Sequence, residues 1–435
     1  MDDHSYHYIA AQLVDEYDAN PSKADEILSS QFFTYINKIP FRGICQFIFL
    51  TVLRNKLLID AAIFSLCSKR PRKKLLNTMR AAVAELLLSD GQKRPKITDS
   101  WVEYAKKTLS AGESKFVNAV LRRVPEEVAR LREGGDISTI YSMPQWLVGR
   151  WLERFGREKT ISLLETFNKP SEVFLRRSYN PEAEKLSAQF SDFLAPCGFE
   201  NFSIVKSGCF QKILPLLKTR HFYVQDPSTS FAAEKLSPFC GGAYLDLCAS
   251  PGGKSRLISD LTERGAIGGR GAPESLAKTV LVSVDVPKRI KKLSENMSKV
   301  DFLKSSVVEC DLLEEDLNQK LAAQNLPLFY DGVFIDAPCS NTGVLRRRPD
   351  ARYRLKPEDI SQCAAIQRKL LQKCAKNVKK GGKLVYSTCS IDFDENEAGA
   401  QIFLENNKDF SLEFSKTFLP SEQSDGCGVF VFSKC

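Results

Sequence analysis

The stretch AYLDLCASPGGKS, residues 243–255, decides the fold of the C-terminal half of this 435-residue chain. Its mostly apolar start is typical of a buried strand, and Gly252 and Gly253 let the backbone turn tightly and approach a ligand before the next helix. The stretch is not a P-loop, which requires a glycine where Cys248 stands, and it is not the dinucleotide motif G-x-G-x-x-G. Although an ordinary glycine-rich turn is the alternative, we favour a loop that holds a nucleotide-like cofactor.

Strand-like apolar segments alternate with helical stretches on both sides of this loop. The segments are AYLDLCA, TVLVSVDV, SSVVECDL, DGVFIDAPC, GKLVYSTCS and GVFVFS. Runs rich in β-branched residues, separated by helices, are typical of a parallel, doubly wound sheet. We therefore predict an α/β domain over residues 225–435, with ligands bound at the carboxyl ends of its strands.

Three of the predicted strands end in an aspartate: Asp285 ends VLVSVD, Asp311 ends SSVVECD and Asp336 ends GVFID. Each aspartate alone is a common cap or turn residue. Three in successive strands predict an adenosine pocket, in which the carboxylate of Asp285 accepts hydrogen bonds from ribose hydroxyls.

Two of the 13 cysteines follow predicted strands in polar loops: Cys339 in DAPCSNTG and Cys389 in STCS. A structural cysteine usually lies within a strand, so these positions favour reactive thiols over structural ones, and adjacent strands would bring both to one mouth. The odd cysteine count, the lack of any C-x-x-C pair and the presence of only three histidines argue against a disulfide framework and predict no metal site.

The N-terminal part has helical periodicity. We predict a small helical bundle over residues 1–135, a helical connector over 136–170 and a small α+β unit over 171–224. In the connector, Pro144 is expected in the first turn of a helix that ends at Gly156. Basic residues cluster at the turns of the bundle, and a solvated charged face and an RNA-binding face explain them equally well. They are Lys69, Arg70, Arg72, Lys73, Lys74, Lys93, Arg94, Lys96, Arg122 and Arg123.

The overall charge and hydropathy limit the partners and the cellular location that the chain can have. The net charge is +9 and the pI is near 8.8, which suits a polyanionic partner without requiring one. The chain has no apolar run of 18 residues or more, and MDDHSYHYIAA lacks the features of a signal peptide. We expect a cytoplasmic protein without membrane association.

Three segments, LDLCASPGGKS, DAPCSNTGVLRRRPD and YSTCSIDFDENE, resemble the signature blocks of the RNA cytosine-5 methyltransferases, of the bacterial Sun or RsmB type. This resemblance covers residues 222–400, and the first 135 residues resemble the NusB-like domain of that type. It implies a Rossmann-like domain, preceded by the small α+β unit and the helical domain, that uses S-adenosylmethionine (SAM) to methylate C5 of a specific cytosine in 16S ribosomal RNA. We expect a monomer.

The resemblance also implies individual roles. Cys389 resembles the nucleophile that attacks C6 of the cytosine, and Cys339 resembles the cysteine that assists product release. Asp336, held through Lys254, is implied to lie by the methyl donor and the target base, and Asp311 near the adenine. The implied SAM loop consists of Cys248, Ala249, Ser250, Pro251, Gly252, Gly253 and Lys254.

A basic run directly follows Cys339. A solvated charged surface is the usual explanation of such a run, but beside a catalytic loop we expect it to hold RNA phosphates. The residues concerned are Arg346, Arg347, Arg348 and Arg352. A cytosine must be unstacked to reach the thiols, which predicts an RNA loop or an opened stem as substrate.

Two stretches depart from the family pattern. RGAIGGRGAPES, residues 264–275, is longer than usual and is expected to form a surface loop, and DGCGVFVFSKC leaves the register of the last strand around Cys427 open. Two other functions remain open: a tRNA cytosine-5 methyltransferase and a non-catalytic RNA-binding or ribosome assembly factor. The two motif cysteines, Lys254 and the strand-end aspartates argue against the second.

Overall fold

A computed structural model describes residues 5–29, 41–268 and 273–435, and the chain divides into two compact units. The first extends to Pro170 and includes Leu345–Leu355; the second comprises Ser171–Val344 and Lys356–Cys435. Residues 136–170, expected as a connector, therefore belong to the first unit. None of the described helices is both long and apolar enough to cross a membrane.

The first unit is helical, as predicted for residues 1–135. Its helices are α1 (Tyr6–Ala19), α2 (Ala24–Leu28), α3 (Arg42–Arg54), α4 (Lys56–Ser65), α5 (Lys73–Leu88), α6 (Arg94–Thr108), α7 (Ala111–Gly134), α8 (Ile137–Tyr141) and α9 (Gln145–Asn168). The apolar faces of α1 to α7 form one core around fully buried Phe49 and Trp101. Ser110 and Glu113 form a capping box that fixes the start of α7.

The expected helix break at Gly156 is present. Helix α9 begins after Pro144 and contains Gly156 with φ +76° and ψ 171°, a conformation that a glycine adopts without strain. A second helical segment continues beyond the break to Asn168, which the sequence analysis did not predict.

The segment Leu345–Leu355, with one helical turn at Ala351–Arg354, is part of the helical unit. Arg352 is fully buried, and its guanidinium donates to the carbonyls of Arg54 (3.0 Å) and Phe167 (2.5 Å) and to Asn168 Oδ1 (2.6 Å). Burial lowers the pKa of Arg352 to about 10, which leaves it charged at neutral pH.

The expectation that the whole basic run contacts RNA is therefore wrong for two of its members. Arg346 is 1% exposed and Arg352 is 0% exposed, so neither guanidinium is accessible to a phosphate. Arg347 is half-buried and Arg348 is exposed, which leaves their predicted role open.

We predict that Arg352→Ala destabilises the helical unit by about 3 kcal/mol, because several buried carbonyls lose their donor. The three tryptophans of the chain, Trp101, Trp146 and Trp151, all belong to the helical unit. Tryptophan fluorescence during denaturation therefore reports on this unit alone. The matched variant Arg348→Ala, at an exposed position, should leave the transition within about 0.5 kcal/mol of wild type. Equal effects of the two variants would contradict the structural role.

The second unit begins with a small antiparallel sheet in the order β2–β3–β1–β4. Its strands are β1 (Phe174–Arg177), β2 (Leu194–Pro196), β3 (Phe202–Val205) and β4 (Phe222–Val224), with helices α10 (Pro181–Ala188) and α11 (Leu214–Leu217). The α+β prediction is correct for this segment. Within PEAEKLSAQFSDFLAPCG the helix ends at Ala188, and Leu194–Pro196 form β2.

A seven-stranded sheet follows, in the order β10–β11–β9–β8–β5–β6–β7. Its strands are β5 (Ala243–Leu247), β6 (Val280–Asp285), β7 (Lys304–Glu309), β8 (Tyr330–Asp336), β9 (Val378–Thr388), β10 (Phe410–Phe418) and β11 (Cys427–Lys434). Strands β5 to β9 run parallel, and β11 is antiparallel to both neighbours. The predicted doubly wound sheet is confirmed; edge strand β10 was not predicted.

Helices separate these strands and cover both faces of the sheet. They are α12 (Ser228–Lys235), α13 (Gly253–Ile267), α14 (Pro273–Leu276), α15 (Pro287–Met297), α16 (Leu317–Ala323), α17 (Pro357–Cys374) and α18 (Glu397–Asn406). Two apolar clusters, one on each face, bury the sheet. The stretch 264–275 is helical at both ends rather than a loop throughout, and its residues 269–272 lie outside the described part.

The strand order places the site. From β5 the chain moves outward to β6 and β7, then returns to β8 on the other side of β5, so the switch point lies between β5 and β8. In such sheets the crevice beyond the carboxyl ends of these strands receives the ligand. The loops after β5 and β8 are the two signature segments that contain Lys254 and Cys339.

Candidate active site

The loop after β5 needs its glycines. Gly252 has φ +99°, and a Cβ there would lie 3.2 Å from Leu293 Cδ1. A Cβ on Gly253 would lie 2.8 Å from the ring of Tyr223 on β4. These contacts require the loop to run with bare backbone between α15 and the small sheet, and they leave the N-terminus of α13 beside the crevice.

Asp285 at the end of β6 fixes this loop. The residue is 4% exposed, and its Oδ2 accepts from Ser250 N at 2.8 Å while Oδ1 accepts from Val286 N at 2.7 Å. Each carboxylate oxygen has a second lone pair, so a further donor can still bind. Asp311, half-buried after β7, caps a turn through Leu313 N at 3.0 Å.

Lys254 and Asp336 connect the loops after β5 and β8. Lys254 Nζ donates to Asp336 Oδ2 at 2.6 Å, with 17% and 29% of the two side chains exposed. The pair is close enough and sufficiently shielded to hold a carboxyl group in one orientation at the crevice. The two residues that the sequence analysis linked are therefore in direct contact.

Asp246, within β5, is a residue that the sequence analysis missed. It is fully buried, Ser255 donates to its Oδ2, and its Oδ1 has no hydrogen-bond partner in the described part of the chain. The pKa of Asp246 is raised to about 7, mainly by burial and in part by nearby Asp336, whereas the Ser255 hydrogen bond opposes the shift. An aspartate inside an apolar strand was the available signal.

Cys339 and Cys389 come together as the strand order predicted. Strands β8 and β9 pair in parallel with Asp336 opposite Ser387, and the two sulfurs beyond these strand ends lie in direct contact, with a Cα separation of 6.4 Å. This separation is within the range of disulfide-bonded cysteines.

Asn341 holds the nucleophile candidate. Its Oδ1 accepts from Cys389 Sγ at 3.2 Å, its Nδ2 donates to the carbonyl of Cys339 at 2.9 Å, and it has φ +63°, which asparagine tolerates better than most residues. Asn341 could not be identified from the sequence, because its contact with Cys389 spans 48 residues.

Gly343 brings three backbone segments together. Its N–H donates to the carbonyl of Cys389 at 3.0 Å, and its own carbonyl accepts from Gly426 N at 2.9 Å. A Cβ at this position would lie 2.4 Å from the carbonyl oxygen of Gly426. Only glycine permits this approach.

Two further cysteines near the site have raised thiol pKa values. Cys248 has its pKa raised well above the ordinary value by burial and by Asp285, so it stays a thiol. Cys427 begins β11, and burial raises its pKa to about 12. Its pairing with Phe418 settles the register that the sequence left open. The described residues contain no cluster of three or more potential metal ligands.

Comparison with known families assigns both parts of the chain. Residues 233–430 match the model for the 16S rRNA methyltransferase RsmB/F family, and residues 5–126 match the NusB family. A ribosomal RNA small subunit methyltransferase B from Proteus mirabilis is 31% identical over 326 residues, 72% of this chain and 71% of that protein. The chain belongs to the RsmB/F methyltransferase family. It is an RNA methyltransferase that depends on SAM.

Other similar proteins extend the match. A probable member from Bacillus subtilis is 28% identical over 392 residues, 86% of this chain and 82% of that protein. A structure of PH0851 matches 99% of this chain and 98% of its own with a TM-score of 0.68 and 20% identity. The NSun6 structure from Pyrococcus horikoshii with SFG covers 67% of this chain with a TM-score of 0.53 and 17% identity. These two structures support the fold.

The residues present fit SAM. The crevice offers a helix N-terminus with bare glycine backbone and the strand-end carboxylate of Asp285. Backbone donors and carboxylate acceptors suit the carboxylate and the hydroxyls of an amino-acid nucleoside.

We predict that Asp246→Asn makes the protein relatively more stable as the pH rises. A carboxyl whose pKa is raised in the folded state loses its stabilising contribution between its unfolded pKa, near 4, and its folded pKa of about 7, whereas asparagine does not titrate. The difference in stability between variant and wild type should grow by about 2–3 kcal/mol between pH 5 and pH 8 in thermal denaturation. The exposed control Asp301→Asn should show no such growth, and a difference for Asp246→Asn that is constant with pH would contradict the prediction.

Proposed function

We propose that this protein transfers a methyl group from SAM to C5 of a cytosine in 16S ribosomal RNA, with Cys389 as the covalent nucleophile. The observation that supports it most is the contact between the two sulfurs of Cys339 and Cys389 at the carboxyl ends of neighbouring strands. Two thiols at one mouth suit a reaction in which one adds to the base and the other assists its release.

Addition of a thiolate makes the base reactive. C5 of cytosine is a weak nucleophile, but attack of Cys389 on C6 moves electron density toward C5 and N3. Asn341, which accepts from Cys389 Sγ at 3.2 Å, orients the sulfur before attack. SAM, when bound, supplies the electrophilic methyl group.

Asp336 and Lys254 act at the base. The 2.6 Å contact with Lys254 Nζ fixes the carboxyl of Asp336 at the mouth of the crevice. From there Asp336 hydrogen-bonds N3 of the cytosine and stabilises the ring while Cys389 is attached. After methylation the proton on C5 leaves to a base, Cys339 or a water, and the electron pair of that bond expels the sulfur of Cys389 from C6.

The cofactor residues are the loop Cys248, Ala249, Ser250, Pro251, Gly252, Gly253 and Lys254, together with Asp285, Asp311 and Asp336. Asp285 takes the ribose hydroxyls, since its carboxylate lies at the end of β6 and already orders Ser250. Asp311 lies one strand further out, which suits the adenine.

RNA contacts come from exposed basic side chains. Arg347 and Arg348, which follow Cys339 in the sequence, remain candidates, and all ten basic residues at the turns of the helical unit are exposed. We assign the NusB-like unit to RNA binding on that basis, and we expect the protein to act as a monomer in the cytoplasm, where ribosomal RNA is available.

We predict that Asp285→Ala weakens SAM binding at least about ten-fold, because the ribose contact and the acceptor of Ser250 N are both lost. Isothermal titration with SAM measures this effect. Affinity for RNA in a filter assay is the control and should stay within about two-fold. Unchanged SAM affinity would remove Asp285 from the pocket.

The two thiols have opposite signatures in the proposed reaction. Cys389→Ala should abolish methylation and any covalent RNA complex, because no sulfur attacks C6. Cys339→Ala should accumulate a denaturant-resistant protein–RNA adduct, because methylation proceeds while release is slowed. Denaturing electrophoresis with labelled 16S RNA detects the adduct.

The double variant should lose the adduct, and Cys363→Ala, outside the site, is the matched control. An adduct that survives Cys389→Ala but disappears in Cys339→Ala would reverse the roles. If the protein methylated tRNA and not 16S RNA, the proposed substrate would be wrong and tRNA would take its place.

A further inference from the structure

Glu395, between β9 and α18, is a fully buried residue in the last signature segment. Its carboxylate accepts four hydrogen bonds. Oε2 accepts from Ser340 N at 2.9 Å and from Gln367 Nε2 at 2.9 Å, and Oε1 accepts from Ser390 Oγ at 2.6 Å and also from Ser340 Oγ. All acceptor positions of the carboxylate are thereby used.

The partners of Glu395 identify what it holds. Ser340 directly follows Cys339, and Ser390 directly follows Cys389. One carboxylate thus joins the two cysteine loops, 50 residues apart in the chain, at the residue next to each sulfur. Gln367 completes the link, since its Nε2 also donates to the carbonyl of Pro338 at 2.9 Å.

Burial alone does not explain an acidic residue at this place. Burial raises the pKa of Glu395, whereas the hydrogen bonds from Ser340, Ser390 and Gln367 oppose that shift. Removing a carboxylate from water is costly, and apolar packing of the same volume stabilises a fold as well or better. What the buried carboxylate adds is geometric order, because charge-assisted hydrogen bonds fix the directions of their donors and apolar contacts do not.

The neighbouring residue shows the contrast. Asn396 is also buried, but its Oδ1 accepts from Thr388 Oγ1 at 2.6 Å and its Nδ2 donates to the carbonyl of Ser390 at 3.0 Å. These two partners flank Cys389, and Nδ2 also donates to Thr417 Oγ1 at 3.2 Å. Asn396 therefore holds the Cys389 loop and a residue of β10, whereas Glu395 holds both cysteine loops. Within the described residues, no hydrogen bond of Glu395 reaches the SAM loop.

We propose that Glu395 is a positioning residue that sets the separation of the Cys339 and Cys389 sulfurs. Its kinetic consequence rests on the proposed function: with the sulfurs misplaced, both addition to C6 and release become slower while the SAM pocket is unaffected. Its geometric consequence does not depend on that function. Two thiols held in contact have a high effective concentration toward one another. A displacement of one thiol by about 1 Å lowers that effective concentration by up to about a hundred-fold.

The experiment measures that effective concentration in the full-length protein. In mixtures of reduced and oxidised glutathione, the two thiols give up two electrons and two protons to glutathione disulfide, which becomes two glutathione thiols. The oxidised fraction of the Cys339–Cys389 pair, quantified by mass spectrometry of its peptides, gives the equilibrium constant. In Glu395→Gln the new side-chain NH2 group faces Ser340, Ser390 and Gln367, which all donate hydrogen bonds to the native carboxylate. We expect the equilibrium constant to fall at least about ten-fold in this variant.

The matched control is Glu263→Gln. Glu263 is buried on α13 and accepts from Asn180 and Arg220, both at 3.1 Å, away from either cysteine loop. This control should leave the thiol constant within about two-fold even if it lowers stability. A Glu395→Gln constant within two-fold of wild type would overturn the proposal, and so would an equal fall in both variants.

Kinetics distinguish this inference from the proposed function. Glu395→Gln should lower kcat at least about ten-fold with the KM for SAM unchanged, and Glu395→Asp should restore part of it. If wild type methylates no RNA but the thiol constant still falls, the proposed function fails and the positioning role stands. Should Glu395→Gln not fold, the double variant Ser340→Ala and Ser390→Ala removes two of the four bonds, and a thiol constant that fails to fall several-fold there would overturn the proposal.

Discussion

The parallel pairing of β8 with β9 is the constraint on which the site depends. It places the carboxyl ends of both strands at one edge, next to β5, and so brings Asp336, Cys339 and Cys389 to the crevice. The pairing continues beyond the strands, because Ala337 N donates to the carbonyl of Ser387 at 2.9 Å and Gly343 N to that of Cys389 at 3.0 Å. The two cysteine loops are thus extensions of one ladder rather than independent loops.

Buried polar groups provide the remaining order around this edge. Arg176 of the small sheet forms a buried ion pair with Asp260 on α13 and donates to Gln225 at 2.7 Å, which ties the small sheet to the helix that begins at the SAM loop. Such groups stabilise a fold only when every partner is present. The same requirement makes them specific, since a shifted strand would leave charges unpaired inside the protein.

The sequence predicted the sheet, the helical N-terminal unit and the meeting of the two thiols, because strand periodicity and motif position are local signals. It failed where a partner is distant in the chain. Arg352 looked like a phosphate ligand beside Cys339, yet its guanidinium binds carbonyls 184 to 298 residues away. Glu395 and Asn341 were missed for the same reason, and edge strand β10 because its residues are mostly exposed and lack a buried apolar run.

The pairing of β8 with β9 contains one irregularity, a bulge in β9, and it lies at the far end of the strands from the site. Between the pairs Tyr330–Val378 and Gly332–Lys383, β9 contains extra residues, and Gly381 absorbs them with φ +75°. From Gly332 onward the pairing runs unbroken to Asp336 opposite Ser387. A slip of one residue there would turn Cys389 to the other face of the sheet. Because the bulge lies at the end of the strands away from the cysteines, the ladder can accept the extra length without moving either sulfur.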